Sequence, residues 1–425
     1  MRLERGNFDA ITISPMPRPR PFHLMAKPIG PKCNLRCAYC FYLEKDALYP
    51  GGREWAMSEE VLRSYVRQAV ECAQGPAASF TWQGGEPTLL GLPFFEKAVA
   101  IEKQYAHGRQ IENSIQTNGT LLDDAWCEFL AREHFLVGLS LDGPEELHDA
   151  YRLDARGGPT HGEVMRALGL LKKHRVEFNT LTVVNSVNSA KPLDVYRFLK
   201  EAGSRFMQFI PLVEPTPDGA AVTEASVMPR AFGEFLVAIF DEWVRRDVGR
   251  VFVQHFDVAL GIWCGLPSAT CVFAETCGRA MALEHNGDVY ACDHFVAPEY
   301  FLGNLVQTPL AEIVEKSEQQ AFGDAKRDTL PACCRECDVR FACNGECPKN
   351  RVASEPGLNY LCPSYKLFFR HVAPAMRAMA ELLRQGRAPA DIMTGDSLSI
   401  HPVGRAHRRP SSAGKRSSSR SRRRG

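Results

Sequence analysis

The stretch KPIGPKCNLRCAYCFY, residues 27–42, follows a β-type run and places Cys33, Cys37 and Cys40 four and then three residues apart. Three thiolates on one short loop can hold three irons of a four-iron cube and leave the fourth without a protein ligand. An open iron is a place for a substrate or a cofactor. A zinc site completed by a distant fourth ligand is the other reading, since zinc takes four tetrahedral ligands and Cys-x2-Cys is common among them.

Outward from this loop, six segments carry β-type composition: Phe22–Ile29, Ala78–Gln83, Ile111–Thr117, Phe135–Leu141, Val176–Val184 and Arg205–Leu212. Amphipathic helical patterns lie between most of them. The first starts at Ser58, a good N-cap, with Glu59 and Glu60 where they complement the helix dipole. Others run near Pro93–Tyr105, Asp123–Arg132, His161–His174 and Ala190–Ala202, and a further helix lies around Pro229–Arg246. Six strands with intervening helices predict an α/β fold whose parallel sheet curls into a partial barrel, with ligands at the C-terminal strand ends. The cysteine loop follows the first strand, where such a fold places its chemistry.

The 425 residues, 45% of them hydrophobic, suffice for a large core and two or more units. Four are expected: an N-terminal extension (1–21), the partial barrel with connecting helices (22–250), a Cys-rich domain (251–385) and a disordered basic tail (386–425). Residues 401–425 hold nine Lys or Arg and no acid, which leaves 42 basic against 50 acidic side chains in residues 1–400. The tail is rich in Ser, Arg and Gly and has too little apolar surface to offset its ordering entropy. A solvated terminus is favoured over a nucleic-acid contact. No stretch of 18 apolar residues or signal-type leader is apparent, and the 15 cysteines group at ligand-like spacings. A soluble protein in a reducing cytoplasm is expected, with no membrane partner.

The later cysteines read Cys271-x5-Cys277-x14-Cys292-Asp293 and Cys334-x2-Cys337-x5-Cys343-x3-Cys347-x14-Cys362. Eight thiolates fill two four-iron clusters with no open iron, which suits electron transfer. Two zinc ribbons are the alternative. Cys72 and Cys127 fall in helical patterns and read as small buried hydrophobes. Cys264 precedes the ligand run, and Cys333 adjoins Cys334, so the register at that pair is open.

The loop Cys33-x3-Cys37-x2-Cys40, with Tyr39 before its last cysteine, and the turn Gly84-Gly85-Glu86-Pro87 after the second strand together resemble the radical S-adenosylmethionine superfamily. The later cysteines are similar to the SPASM extension of anaerobic sulfatase-maturating enzymes, and the resemblance runs from about Phe22 to Tyr365. It implies a partial (β/α)6 barrel followed by a Cys-rich domain with two auxiliary clusters. It implies three 4Fe-4S clusters, S-adenosyl-L-methionine bound on the open iron, and a 5′-deoxyadenosyl radical. By the same resemblance Tyr39, Gly85, Ser140 and Arg152 would contact that cofactor, and Val213 would pack on its adenosine. The first auxiliary cluster would take Cys271, Cys277, Cys292 and Cys347, the second Cys334, Cys337, Cys343 and Cys362. Asp293 would be the general base as a cysteine or serine of a sulfatase is oxidised to Cα-formylglycine.

The expected partners are a sulfatase segment around Cys-x-Pro-x-Arg or Ser-x-Pro-x-Arg and an electron donor of flavodoxin or ferredoxin type. Two other functions stand beside this one: a SPASM-type maturase that crosslinks a ribosomal peptide, and a non-enzymatic zinc protein whose tail binds nucleic acid. Metal content separates the last from the others. Protein purified without oxygen is expected to be brown and to contain iron and sulfide, and a colourless zinc-loaded protein would sink the iron-sulfur reading.

Overall fold

The computed structural model describes residues 20–49, 55–216, 218–219, 221–352 and 356–394. The six expected strands form as β1 (His23–Lys27), β2 (Ala77–Trp82), β3 (Gln110–Thr117), β4 (Leu136–Ser140), β5 (Phe178–Val184) and β6 (Phe206–Pro211). They pair in sequence order, each parallel to the next. Helices α1 (Glu59–Cys72), α2 (Leu92–Tyr105), α3 (Asp124–Arg132), a short α4 (Glu145–His148), α5 (His161–Lys173) and α6 (Pro192–Ala202) return the chain between strands. The Ser58 side chain caps α1 as expected, accepting the Val61 N–H at 3.3 Å.

Strand alternation decides which face the helices cover. In β2, Ala78, Phe80 and Trp82 are buried, whereas Ser79 and Thr81 face the other way. Phe80 and Trp82 meet Tyr65 of α1 edge-on, with ring centres 5.4 and 5.7 Å apart, and Trp82 meets Phe95 of α2 at 5.8 Å. The Trp82 indole N–H donates to Asn113 Oδ1 at 2.8 Å, so its burial leaves no polar atom unpaired. The opposite, concave face is the barrel hollow.

Beyond β6, α7 (Pro229–Arg246) forms where its pattern placed it, and β7 (Phe252–Val253) and α8 (Gln254–Trp263) follow. β7 pairs with β6. The Cys-rich region then contributes strands the sequence reading did not place: β8 (Ala280–Glu284), β9 (Asp288–Tyr290) and β10 (Phe301–Asn304). β8 lies parallel beside β1, and β9 and β10 continue antiparallel, giving one ten-stranded sheet ordered β10-β9-β8-β1-β2-β3-β4-β5-β6-β7. The signal for this addition is Asn286-Gly287 between two apolar runs, a hairpin turn in which Gly287 takes φ +92°. A 23-residue helix, Cys362–Arg384, packs on α7 and closes that side.

Residues 389–394, assigned above to a disordered tail, instead form a 3-10 turn against this helix, with Ile392 buried. Ile392 and Met393 supply apolar surface that the later tail lacks. The remaining tail, with almost all of the expected N-terminal extension, lies outside the described residues. Among the described residues no helix is long and apolar enough to cross a membrane. Truncating the aromatic cluster tests this packing: Trp82→Ala is expected to lower stability by about 3–5 kcal/mol in urea titrations.

Candidate active site

Because β1–β8 run parallel, the loops after them open on one rim. The cysteine loop follows β1 and is held to the loop after β4 by Arg36 N–H to Leu153 O (2.8 Å) and Ala38 N–H to Tyr151 O (2.9 Å). Cys33, Cys37 and Cys40 are partly buried on it. Burial pushes the Cys33 thiol up to about 12, the Leu35 N–H opposes this, and the charges of Glu86, Cys37 and Cys40 add to it. Crowded thiols that resist ionisation alone form a donor set that a cationic group relieves. They fit an iron-sulfur cluster.

Gly85 braces this loop. Its N–H donates to Gly30 O at 2.8 Å, the Glu86 N–H donates to Lys32 O at 2.8 Å, and a Cβ on Gly85 would lie 1.9 Å from Lys32 O. The resemblance places this glycine at the cofactor; in the fold it also allows the close approach of the cysteine loop. Glu86 is buried, and its carboxylate accepts from Thr88 N (3.1 Å), Thr88 Oγ1 (2.6 Å), Thr117 Oγ1 (2.7 Å) and Asn118 N (2.7 Å). It ties the rim of β2 to that of β3. Asn118 Nδ2 in turn donates to Asn34 Oδ1 at 2.9 Å, so the turn after β3 also supports the cysteine loop.

Tyr39 and Arg152 share one carboxylate. The Tyr39 hydroxyl donates to Asp142 Oδ2 at 2.5 Å and Arg152 Nε donates to the same oxygen at 2.9 Å, with the guanidinium 5.6 Å from the Tyr39 ring centre. Arg152 is thus in a buried ion pair, not at the surface. Its two Nη groups form no hydrogen bond among the described residues. Asp142, which the sequence reading passed over, also accepts the Val183 N–H at 2.8 Å and joins the ends of β4 and β5. Ser140 is buried at the end of β4. Val213 is wholly buried past β6, and its carbonyl accepts from Lys349 Nζ at 3.1 Å.

Asp293 lies three residues past β9, and its carboxylate is 3.7 Å from Nζ of Lys27 at the end of β1. Lys27 is buried, and its ammonium sits 4.8 Å from the Tyr42 ring centre. Burial works to raise the Asp293 carboxyl, but His294 and Lys27 beside it outweigh this, and it ends below the usual carboxylate range. The pairing of β8 with β1, and of β9 with β8, lets the segment after β9 bring an acid from the Cys-rich region to Lys27 of the barrel.

The remaining cysteines form two groups. Cys334, Cys337, Cys343 and Cys362 line one cavity, while Cys333 is exposed. Cys271, Cys277, Cys292 and Cys347 make up the other group: burial raises the Cys292 thiol, with Asp293, Cys271 and Cys277 adding, and burial likewise raises Cys347, with Cys292 and Cys277 among the charges near it. Among the described residues no three His, Cys, Asp or Glu side chains converge as a single metal ion requires. Four thiols spread around a cavity suit a cluster better. Cys72 and Cys127 are buried, as expected of small hydrophobes, and Cys264 is exposed.

Residues 28–199 match the Radical SAM superfamily, and residues 271–338 match SPASM, an iron-sulfur cluster-binding domain. A serine-type anaerobic sulfatase-maturating enzyme of Bacteroides thetaiotaomicron is 47% identical over 395 residues, covering 89% of this chain and 95% of that protein. The chain belongs to the anaerobic sulfatase-maturating enzymes. A cysteine-type member from Clostridium perfringens is 36% identical, over 86% of this chain and 100% of that one. The solved structure of native anSMEcpe with bound AdoMet and Cp18Cys peptide superposes with a TM-score of 0.78 at 36% identity, covering 85% of this chain and 99% of that one. Streptococcus suis SuiB bound to S-adenosylmethionine reaches a TM-score of 0.58 at 16% identity, a likeness of fold alone. The chain is therefore a radical S-adenosylmethionine oxidoreductase with the three-cluster arrangement of its family. The non-enzymatic zinc reading falls.

The Glu86 carboxylate offers a test of how the rim is held. Glu86→Gln replaces one acceptor oxygen with a donor facing donors, which is expected to lower stability by about 1–3 kcal/mol. Thermal melts of the variant, with iron content per chain as a second measure, check the loss and its effect on the cysteine loop.

Proposed function

We propose that this enzyme oxidises a serine or cysteine of a sulfatase polypeptide to Cα-formylglycine without oxygen. The reading is supported above all by Asp293, whose carboxylate lies 3.7 Å from Nζ of Lys27, a residue of the strand that carries the radical-type cysteine loop. The target segment is of the Ser-x-Pro-x-Arg or Cys-x-Pro-x-Arg kind, and the electrons come from a flavodoxin or ferredoxin type donor. Higher identity to serine-type relatives supports a serine target.

Cys33, Cys37 and Cys40 would hold the cluster with an open iron, and the two later groups of four thiols the auxiliary clusters. When bound, these groups and S-adenosyl-L-methionine supply the one-electron chemistry: hydrogen removal from the target Cβ and an acceptor for the second electron. Tyr39, Gly85, Ser140, Arg152 and Val213 would surround the cofactor, with the free edge of the Arg152 guanidinium suited to a carboxylate. Asp293 would take the proton from the target Oγ or Sγ. Held as an anion beside the Lys27 ammonium, it is in the form a base needs at neutral pH.

Asp293→Asn keeps the shape and removes the base. Peptide aldehyde formation by the anaerobic, cluster-loaded variant is expected to fall by roughly 10²–10⁴-fold. Formation of 5′-deoxyadenosine should persist. Mass spectrometry of both products decides the matter, and full aldehyde yield from the variant would remove Asp293 from this role.

A further inference from the structure

A helix over Ser317–Asp328 ends in Lys326, Arg327 and Asp328. Arg327 stays at the surface and pairs with Asp324 and Asp328. Lys326 points the other way and is 1% exposed. Its Nζ donates to Cys271 O at 2.7 Å and to Val272 O at 2.9 Å, and among the described residues it is in no ion pair. Glu346, a buried acid of the same region, accepts instead from Asn350 Nδ2 at 3.0 Å and Asn359 Nδ2 at 2.6 Å.

The helix is held against the cysteines backbone to backbone. The Cys277 N–H donates to Gly323 O at 3.0 Å, a Cβ on Gly323 would lie 2.3 Å from Cys277 O, and one on Gly278 would lie 2.9 Å from Gly323 Cα. Gln319 Nε2 donates to Gly278 O and, at 3.2 Å, to Ala291 O, the residue before Cys292. A glycine inside a helix is unfavourable. Here it brings the helix close enough for Lys326 to reach the group of Cys271, Cys277, Cys292 and Cys347.

Two carbonyls need only a neutral donor, whereas an ammonium taken out of water is unfavourable unless an anion stands near it. Burial pushes Lys326 below the usual lysine range, and the charges of Cys277, Glu346, Cys347 and Cys271 oppose this. All but Glu346 belong to one cysteine group. A four-iron cluster on four thiolates is a net anion and gains a further negative charge when it accepts an electron. A fixed cation beside it favours the reduced form, and more strongly where water is excluded.

We propose that Lys326 is a positioning residue for the second electron of the reaction: its ammonium raises the reduction potential of the cluster that Cys271, Cys277, Cys292 and Cys347 would hold, and so readies that cluster as the acceptor. The inference rests on the formylglycine reading for the source of the electron. Once a hydrogen atom has left the target Cβ, the carbon radical gives one electron to this cluster and the Oγ–H or Sγ–H proton to Asp293, and the C–O or C–S bond becomes double. Cys292 and Asp293 are consecutive, so electron and proton leave toward adjoining residues.

An EPR-monitored redox titration of the anaerobic, cluster-loaded enzyme, without peptide, reads the effect of the charge alone. Lys326→Gln keeps a donor for the two carbonyls and removes the charge, Lys326→Met removes both, and Lys326→Arg keeps the charge. In Lys326→Gln and Lys326→Met one auxiliary transition is expected to move down, its reduction constant falling roughly tenfold, or about 59 mV for one electron, while the other transitions hold. Lys326→Arg is expected to stay near the parent value. With a sulfatase-type peptide, the two uncharged variants should form less aldehyde per 5′-deoxyadenosine than the parent. Unmoved potentials in both, with iron content and melting temperature kept, overturn the inference. Loss of iron from Lys326→Gln also overturns it, by making Lys326 a clamp on the cysteine loop. Deoxyadenosine without aldehyde from the parent enzyme overturns the formylglycine reading beneath it, which the titration does not touch.

Discussion

β1 is hydrogen-bonded on both sides by parallel strands, β2 from the barrel and β8 from the Cys-rich region, and the rest of the site follows from that. A parallel pair puts both C-terminal ends on the same edge. The radical-type cysteine loop leaves β1 at that edge and the Gly85 turn leaves β2 there; β9 runs back from it, and the segment after β9 brings the Asp293 carboxylate within 3.7 Å of Lys27 Nζ. Were β8 a separate unit on a linker, Asp293 and the cysteine loop would have no fixed relation. Lys27, at the last position of β1, sits between them and pairs with Asp293.

The rim is rigid because its charges are consumed internally. Glu86 spends its carboxylate on four donors from the loops after β2 and β3, and Asp142 spends its own on Tyr39, Arg152 and the backbone of β5. Burying an acid is unfavourable unless its oxygens are satisfied, and once satisfied it fixes the groups that satisfy it. These two acids do for the loops what the aromatic cluster around Trp82 does for the sheet.

Much of this was legible in the chain. The six strands and their helices appear within a few residues of where composition and alternation placed them, because each is stabilised by its own face against the helices. The spacing of Cys33, Cys37 and Cys40 carried the first cluster for the same local reason, since ligands on one loop are near in sequence, whereas the division of the later cysteines into two sets came from the family resemblance. Other features were not legible. Asp142 looks like any acid in a polar loop until the fold brings Tyr39 and Arg152 to it. Gly85 carries no sequence sign of its second role, the clearance it gives the Lys32 backbone of the cysteine loop. Ile392 lies in a segment that composition assigns to the tail, and its contact with the last helix keeps it ordered.

By itself the sequence determined the fold class and the cysteines able to hold clusters, since these depend on periodicity and spacing along the chain, and the family through the resemblance of its motifs to known ones. The tertiary structure alone decided that the Cys-rich region completes the barrel's own sheet and that Asp293 faces Lys27. Each of these depends on the register between strands far apart in sequence. Register is set when side chains pack across the sheet, and no local pattern records it.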